Sequence, residues 1–174
     1  GWGVGYSPGE SWLPALRGPI WRRGGPAANH PQEPEYGLTV DEMNALMPRT
    51  IVGHVRLGTS GHVGIPNPHP FQHQGMLFAH NGTANVTRME TYLDKYLSGH
   101  PPDYRQGVAA TGHIDSELYF LCLLKHIGEH PELDFTSALV SAVRNFVAVI
   151  GSGSLNFVLT DGDTLYALNY GGSP

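Results

Sequence analysis

Residues 51–117 contain four short polar motifs set among predicted strands and helices. In order they are His54-Val-Arg56-Leu-Gly-Thr59-Ser60-Gly61, Asn67-Pro-His69-Pro-Phe71, Phe78-Ala-His80-Asn81-Gly82-Thr83 and Asp115-Ser-Glu117. Residues 50–57 alternate apolar and polar positions, which predicts a strand. Residues 75–80 predict a second strand, and the turn-forming pair Asn81-Gly82 follows it. Residues 115–127 are apolar almost all round, which predicts a helix buried against a sheet.

The other predicted elements lie on either side of this stretch. Glycine alternates with bulky residues over 1–6, as in a strand packed closely against another backbone. Residues 39–47 predict a short helix with Thr39 as its N-cap and Glu42 completing a capping box. The remaining predictions are an irregular loop over 7–35, helices over 85–97 and 135–150, and strands over 155–160 and 164–169 joined by Asp161-Gly162. This order predicts a single α+β domain with antiparallel sheets.

Composition sets loose bounds on function. The 174 residues carry a formal charge of -5 and a mere 14% charged side chains, so they lack the basic surface that nucleic acid requires. No apolar run is as long as a membrane span, so neither nucleic acid nor membrane is an expected partner. The single cysteine cannot form an internal disulfide, which favours a cytoplasmic location.

The order and content of the four motifs resemble the glutaminase domain of class II glutamine amidotransferases, which are N-terminal-nucleophile hydrolases. Thr59-Ser60-Gly61 differs from the Thr-His-Gly of the synthase branches and is closer to the small stand-alone branch. The resemblance implies a four-layer αββα sandwich of two antiparallel sheets between helix layers. It also implies a substrate that is glutamine or another γ-glutamyl amide, with no cofactor and no metal. A homo-oligomer or a synthase partner is compatible with the family.

Binding a free amino acid requires a cation for its carboxylate and an anion for its ammonium group. Arg56 fits the first role because a guanidinium can hold both carboxylate oxygens, and the resemblance assigns Thr59 and His80 to the same pocket. Asp115 fits the second role. Read from the residues alone, a surface ion pair is the alternative for Arg56, and a helix cap is the alternative for Asp115.

Hydrolysis of an amide also requires donors for the negative charge that develops on oxygen. The side-chain amide of Asn81 and the backbone N–H of Gly82 are the candidates, and a simple tight turn is the alternative. If the pocket exists, the Arg56 guanidinium should lie about 4–7 Å from the Asp115 carboxylate, since both would hold one amino-acid head group. Asn81 and Gly82 should face the same cleft.

The family's nucleophile is an N-terminal cysteine, whereas position 1 is Gly1. Two explanations follow: a truncated domain that lacks its first strand together with the cysteine, or an inactive binding or assembly module with the same fold. Cys122 lies between two leucines and predicts a buried hydrophobic side chain. Five histidines fall within 27 residues, but no helical His-x-x-x-His pair occurs among them, which disfavours a metal site.

Overall fold

A computed structural model describes residues 2–7, 20–23, 34–55, 69–102 and 113–171 of the chain. Within these residues, strands and helices are mixed as expected of an α+β protein. The strands are β1 (Trp2–Ser7), β2 (Ile20–Arg23), β3 (Thr50–Val55), β4 (Phe71–His73), β5 (Met76–Thr83), β6 (Ser154–Thr160) and β7 (Leu165–Leu168). The helices are α1 (Pro34–Leu46), α2 (Val86–Leu93), α3 (Tyr96–Gly99), α4 (Asp115–Gly128) and α5 (Phe135–Val149).

The first sheet has the strand order β2-β1-β3, and both pairings are antiparallel. On β1, the side chains of Trp2, Val4 and Tyr6 form a buried cluster with Met43 of α1. Gly5 leaves room for another segment, since a Cβ there would lie 2.9 Å from a side-chain carbon of Pro70. This close approach explains why glycine occupies position 5 of β1.

The second sheet has the order β4-β5-β6-β7. Gln74 and Gly75 join β4 to β5 as a two-residue turn with φ angles of 47° and 78°, the positive values that tight hairpins require. β6 and β7 form a second antiparallel hairpin. Val52 of the first sheet packs in one buried cluster with Leu77 and Ala79 of the second.

The chain divides into two compact units, and each helix other than α1 belongs to the second. The first unit comprises Gly1–His80 with Phe157–Leu168, and the second comprises Asn81–Asn156 with Asn169–Pro174. In the second unit α4 contacts both α2 and α5. The rings of Tyr119 on α4 and Phe146 on α5 lie 4.3 Å apart between centroids. Helix α4 is therefore the centre of this unit.

The predicted fold class is confirmed: the described chain is α+β with two antiparallel sheets and helices. The strand predicted over 1–6, the buried helix, the helix over 135–150 and the final hairpin are all present. The part of the predicted strand 50–57 beyond Val55 lies outside the described residues, as does most of the predicted loop over 7–35. Strand β2 lies inside that loop segment, so the sequence prediction missed it.

Three local predictions were wrong. Helix α1 begins at Pro34, a residue favoured at a first helical position, so Thr39 is a buried residue inside the helix and not its N-cap. Strand β5 runs through Asn81 and Gly82 to Thr83, because pairing within the sheet overrides the tendency of Asn-Gly to turn. The helix predicted over 85–97 ends at Leu93, and Asp94 with a φ of 33° separates it from α3.

Candidate functional site

The Asp115 carboxylate joins two of the sequence motifs within the second unit. Its Oδ2 accepts a hydrogen bond of 3.1 Å from the backbone N–H of Ala84, which directly follows the Asn81-Gly82-Thr83 block. Its Oδ1 accepts a bond of 2.8 Å from the backbone N–H of Ser116. Residues that are 31 positions apart in sequence therefore meet at one carboxylate.

Asp115 is the first residue of α4, and the N-cap position belongs to Ile114, which has no side chain able to cap. The Asp115 carboxylate takes over part of that task because it accepts one of the N–H groups that lack a partner inside the helix. Negative charge is also favoured at a helix N-terminus. A carboxylate has about four acceptor sites, so these bonds leave capacity for a ligand ammonium group. Both readings of Asp115, helix start and anion for a ligand, thus remain compatible.

Asn81 and Gly82 lie near the end of β5, with Asn81 exposed and Gly82 half-buried. The Ser154 hydroxyl donates a hydrogen bond of 3.3 Å to the backbone carbonyl of Asn81, and the Asn156 side chain donates to that hydroxyl at 3.3 Å. A Cβ at Gly153 would lie 2.7 Å from the Thr83 carbonyl oxygen, so a side chain would disturb this approach. The backbone of the Asn81 block is therefore held by the start of β6.

The sequence did not indicate that Ser154 and Asn156 would support the backbone at Asn81. The run Gly151-Ser-Gly-Ser154 contains small residues suited to a close approach, but nothing local to it indicates which strand it would contact. The strand order of the second sheet shows that β6, which begins at Ser154, pairs with β5.

The remaining candidates are placed as follows. Arg56 and Thr59 lie outside the described residues, so the predicted distance between Arg56 and Asp115 stays a prediction. His80 is 2% exposed in β5, where its ring stacks with that of Phe78 at 6.4 Å between centroids. That burial favours a packing role over direct contact with a ligand.

Cys122 lies in the buried middle of α4, as the sequence predicted. Burial raises the pKa of its thiol far above the ordinary value, so the reactive thiolate form is disfavoured. Among the described residues, no three His, Cys, Asp or Glu side chains are grouped to hold a metal ion. No described helix is both long and apolar enough to cross a membrane.

A family model described as glutamine amidotransferases class-II matches residues 1–171. The chain belongs to the class II glutamine amidotransferase family. This confirms the resemblance that the four motifs indicated. A protein of Haemophilus influenzae named "Putative glutamine amidotransferase" is 25% identical over 126 residues, which cover 67% of this chain and 37% of that protein.

Two solved structures share the fold of this family member. A glutamine aminotransferase class-II domain protein from Silicibacter pomeroyi superposes with a TM-score of 0.55 at 22% identity, covering 96% of this chain and 66% of that one. A protein of Pseudomonas aeruginosa described as a predicted glutamine amidotransferase gives a TM-score of 0.54 at 25% identity, covering 97% of this chain and 59% of that one. The chain thus spans 37% to 66% of the length of these relatives.

Proposed function

We propose that this chain binds L-glutamine or another γ-glutamyl amide and forms the substrate-binding part of an amidohydrolase. The observation that carries the proposal is the bond between the Ala84 N–H and the Asp115 carboxylate. It brings an anion suited to the ligand's ammonium group next to the segment that carries Asn81 and Gly82. Asp115 and the Asn81-Gly82 pair come from two separate motifs, and a common site would require them together.

Each proposed residue has a chemical role. Asp115 holds the α-ammonium group, and Arg56 with Thr59 holds the α-carboxylate. The exposed side-chain amide of Asn81 and the N–H of Gly82 stabilise the charge that develops on the amide oxygen. For His80, which is buried in β5 next to Asn81 in sequence, we propose a packing role in place of the predicted ligand contact.

The reaction that this site would serve proceeds through a cysteine thioester. The thiolate sulfur bonds to the amide carbon, the carbon–nitrogen bond breaks, and the nitrogen takes a proton and leaves as ammonia from glutamine or as the corresponding amine from a substituted γ-glutamyl amide. Water then cleaves the thioester, which releases glutamate and restores the thiol. We place the cysteine outside this chain, because Cys122 is buried with a raised pKa. The alternative is an inactive binding or assembly module with the same fold.

A titration of the chain with L-glutamine, followed by the backbone amide resonances, tests binding. Charge-assisted hydrogen bonds contribute about 1.5–3 kcal/mol each, and immobilising the ligand offsets much of that, so we expect a millimolar or weaker Kd. The resonances of residues 81–84 and 115–116 should shift. D-Glutamine is the matched control, since its ammonium and carboxylate groups exchange places. Equal shifts with both enantiomers would contradict a specific site.

Ammonia release separates the two candidate functions. A version of the protein that begins with the family's cysteine should release ammonia from L-glutamine, or the corresponding amine from a substituted γ-glutamyl amide, and Asn81→Ala should abolish that release. Binding without any release would favour the inactive module. The proposal includes a cytoplasmic location, which the single cysteine supports. It also includes either a synthase partner or a homo-oligomer, and family membership supports the synthase partner.

A further inference from the structure

Glu90 and His113 form a hydrogen-bonded pair beside the proposed ammonium-binding residue. The Oε1 atom of Glu90 on α2 lies 2.7 Å from Nδ1 of His113, two positions before Asp115. The Glu90 side chain is 37% exposed and the His113 side chain is 18% exposed. Neither residue belongs to any of the four motifs.

The pair and the Ala84–Asp115 bond connect the same two segments. Ala84 directly precedes the N-cap of α2, Asn85, and Glu90 lies on that helix one turn further on. On the other side, His113 and Asp115 flank Ile114, which is 4% exposed. Two bonds along each segment constrain its direction as well as its distance, in addition to the packing of α2 against α4.

We infer that Glu90 and His113 are positioning residues, which hold the Asp115 carboxylate against Ala84 in the orientation that binds the ligand's ammonium group. The inference rests on the proposed function. It predicts that the pair acts through Asp115 without touching the ligand. Small displacements of a binding group are costly because hydrogen bonds weaken steeply with distance and angle.

The test compares Glu90→Ala, Glu90→Gln and a control, Glu129→Ala. Glu129 makes an ion pair of 2.6 Å with Lys125 at the other end of α4, so its variant loses the same charge and the same type of bond in the same unit. Glu90→Gln keeps a side chain of the same length that can both donate to and accept from the His113 ring. Each variant is titrated with L-glutamine, and the Ala84 amide proton is followed by NMR.

We expect Glu90→Ala to weaken L-glutamine binding about five-fold and to move the Ala84 amide proton upfield, as when a bond to a carboxylate lengthens. Glu90→Gln should restore most of both properties, and Glu129→Ala should leave both unchanged. A role confined to stability would lower the unfolding temperature of Glu90→Ala and leave the Ala84 resonance and the Kd as they were. That result would overturn the inference.

The two readouts also separate this inference from the proposed function. Failure of the unsubstituted chain to bind L-glutamine contradicts the proposed function. The Ala84 resonance still decides whether Glu90 and His113 position Asp115. An unchanged Ala84 resonance in Glu90→Ala counts against the positioning role, whether or not the ligand binds.

Discussion

The first turn and the middle of helix α4 differ in what surrounds them. In the middle, side chains from Leu118 to Leu124 are at most 3% exposed, and the contacts are apolar. In the first turn, Asp115 is half-buried and its oxygens accept hydrogen bonds from two backbone N–H groups. The two parts of α4 therefore have different roles. The middle holds the helix in place by burial, and the first turn presents a carboxylate on that rigid support.

The largest expected effect comes from the middle of α4. Leu121→Ala removes a side chain with 0% exposure and leaves a cavity, so the free energy of unfolding should fall by about 2–5 kcal/mol. Urea unfolding followed by circular dichroism measures it. Val140→Ala on α5, where the side chain is 46% exposed, is the control and should change stability by less than about 0.5 kcal/mol. If both variants lost the same free energy of unfolding, burial in the middle of α4 would not be the cause of its stabilising effect.

A substitution in the first turn of α4 should change the affinity for L-glutamine more than the free energy of unfolding. Asp115→Asn removes the negative charge but keeps an oxygen that can accept the Ala84 N–H. The affinity for L-glutamine should fall at least about ten-fold, as expected when a charge-assisted bond is lost. Asp134→Asn is the matched control, since Asp134 is the N-cap of α5 in the same unit and asparagine caps equally well. Unchanged affinity in Asp115→Asn would remove Asp115 from the site.

A smaller effect is expected where α2 begins, beside Ala84. The Asn85 side chain accepts a hydrogen bond of 3.0 Å from the backbone N–H of Arg88 and so caps the helix. Asn85→Ala should lower the free energy of unfolding by about 1 kcal/mol. Thr87→Ala, at an exposed position of the same helix, should not destabilise the protein. Urea midpoints of the two variants give the comparison, and a neutral Asn85→Ala would show that the cap contributes nothing.

The last turn of α4 predicts a pH dependence. Burial lowers the pKa of His126, and the nearby His130 lowers it further. The folded-state pKa then lies below the unfolded-state value of about 6.5, so the unfolded chain binds a proton first as the pH falls. The protein should therefore be most stable at a pH above the unfolded-state pKa of His126. Its free energy of unfolding should decrease as the pH falls from there toward the folded-state pKa. Urea midpoints between pH 7.5 and pH 5 measure this loss.

His126→Gln should flatten that dependence, because the amide does not titrate. The control is Thr87→Ala, which changes an exposed residue of α2 that does not titrate. The control should keep the slope of the unsubstituted protein. An identical slope in His126→Gln would show that another group causes the loss of stability at low pH.

The sequence predicted the elements whose pattern is local and strong. The apolar run after Asp115 and the spacing of apolar residues in residues 135–150 predicted α4 and α5 within a few residues. It failed where a neighbour decides the outcome. Asn81-Gly82 has the composition of a turn, yet it continues β5 because the chain is paired there. Strand β4 has three residues, too few for an alternating pattern to be recognised.

The sequence identified candidate site residues that belong to the motifs, but it did not identify the residues that support them. The motifs identified Asp115, Asn81 and Gly82 as candidates, and the structure joins Asp115 to the residue after their block. The supporting residues Ser154, Glu90 and His113 were missed. Each is an ordinary polar residue in its local sequence, and its role depends on a partner between 23 and 73 positions away.

The sequence by itself determined the family and the chemistry that the motifs can supply, because residue types and their spacing carry that information directly. It also determined the buried character of α4, since every position from Leu118 to Leu124 in that helix is apolar. Only the tertiary structure decided that Ala84 meets Asp115 and that Glu90 meets His113. Such meetings depend on how helices α2 and α4 pack against each other, and hydrogen bonds of about 3 Å between distant residues leave no periodic trace in the sequence.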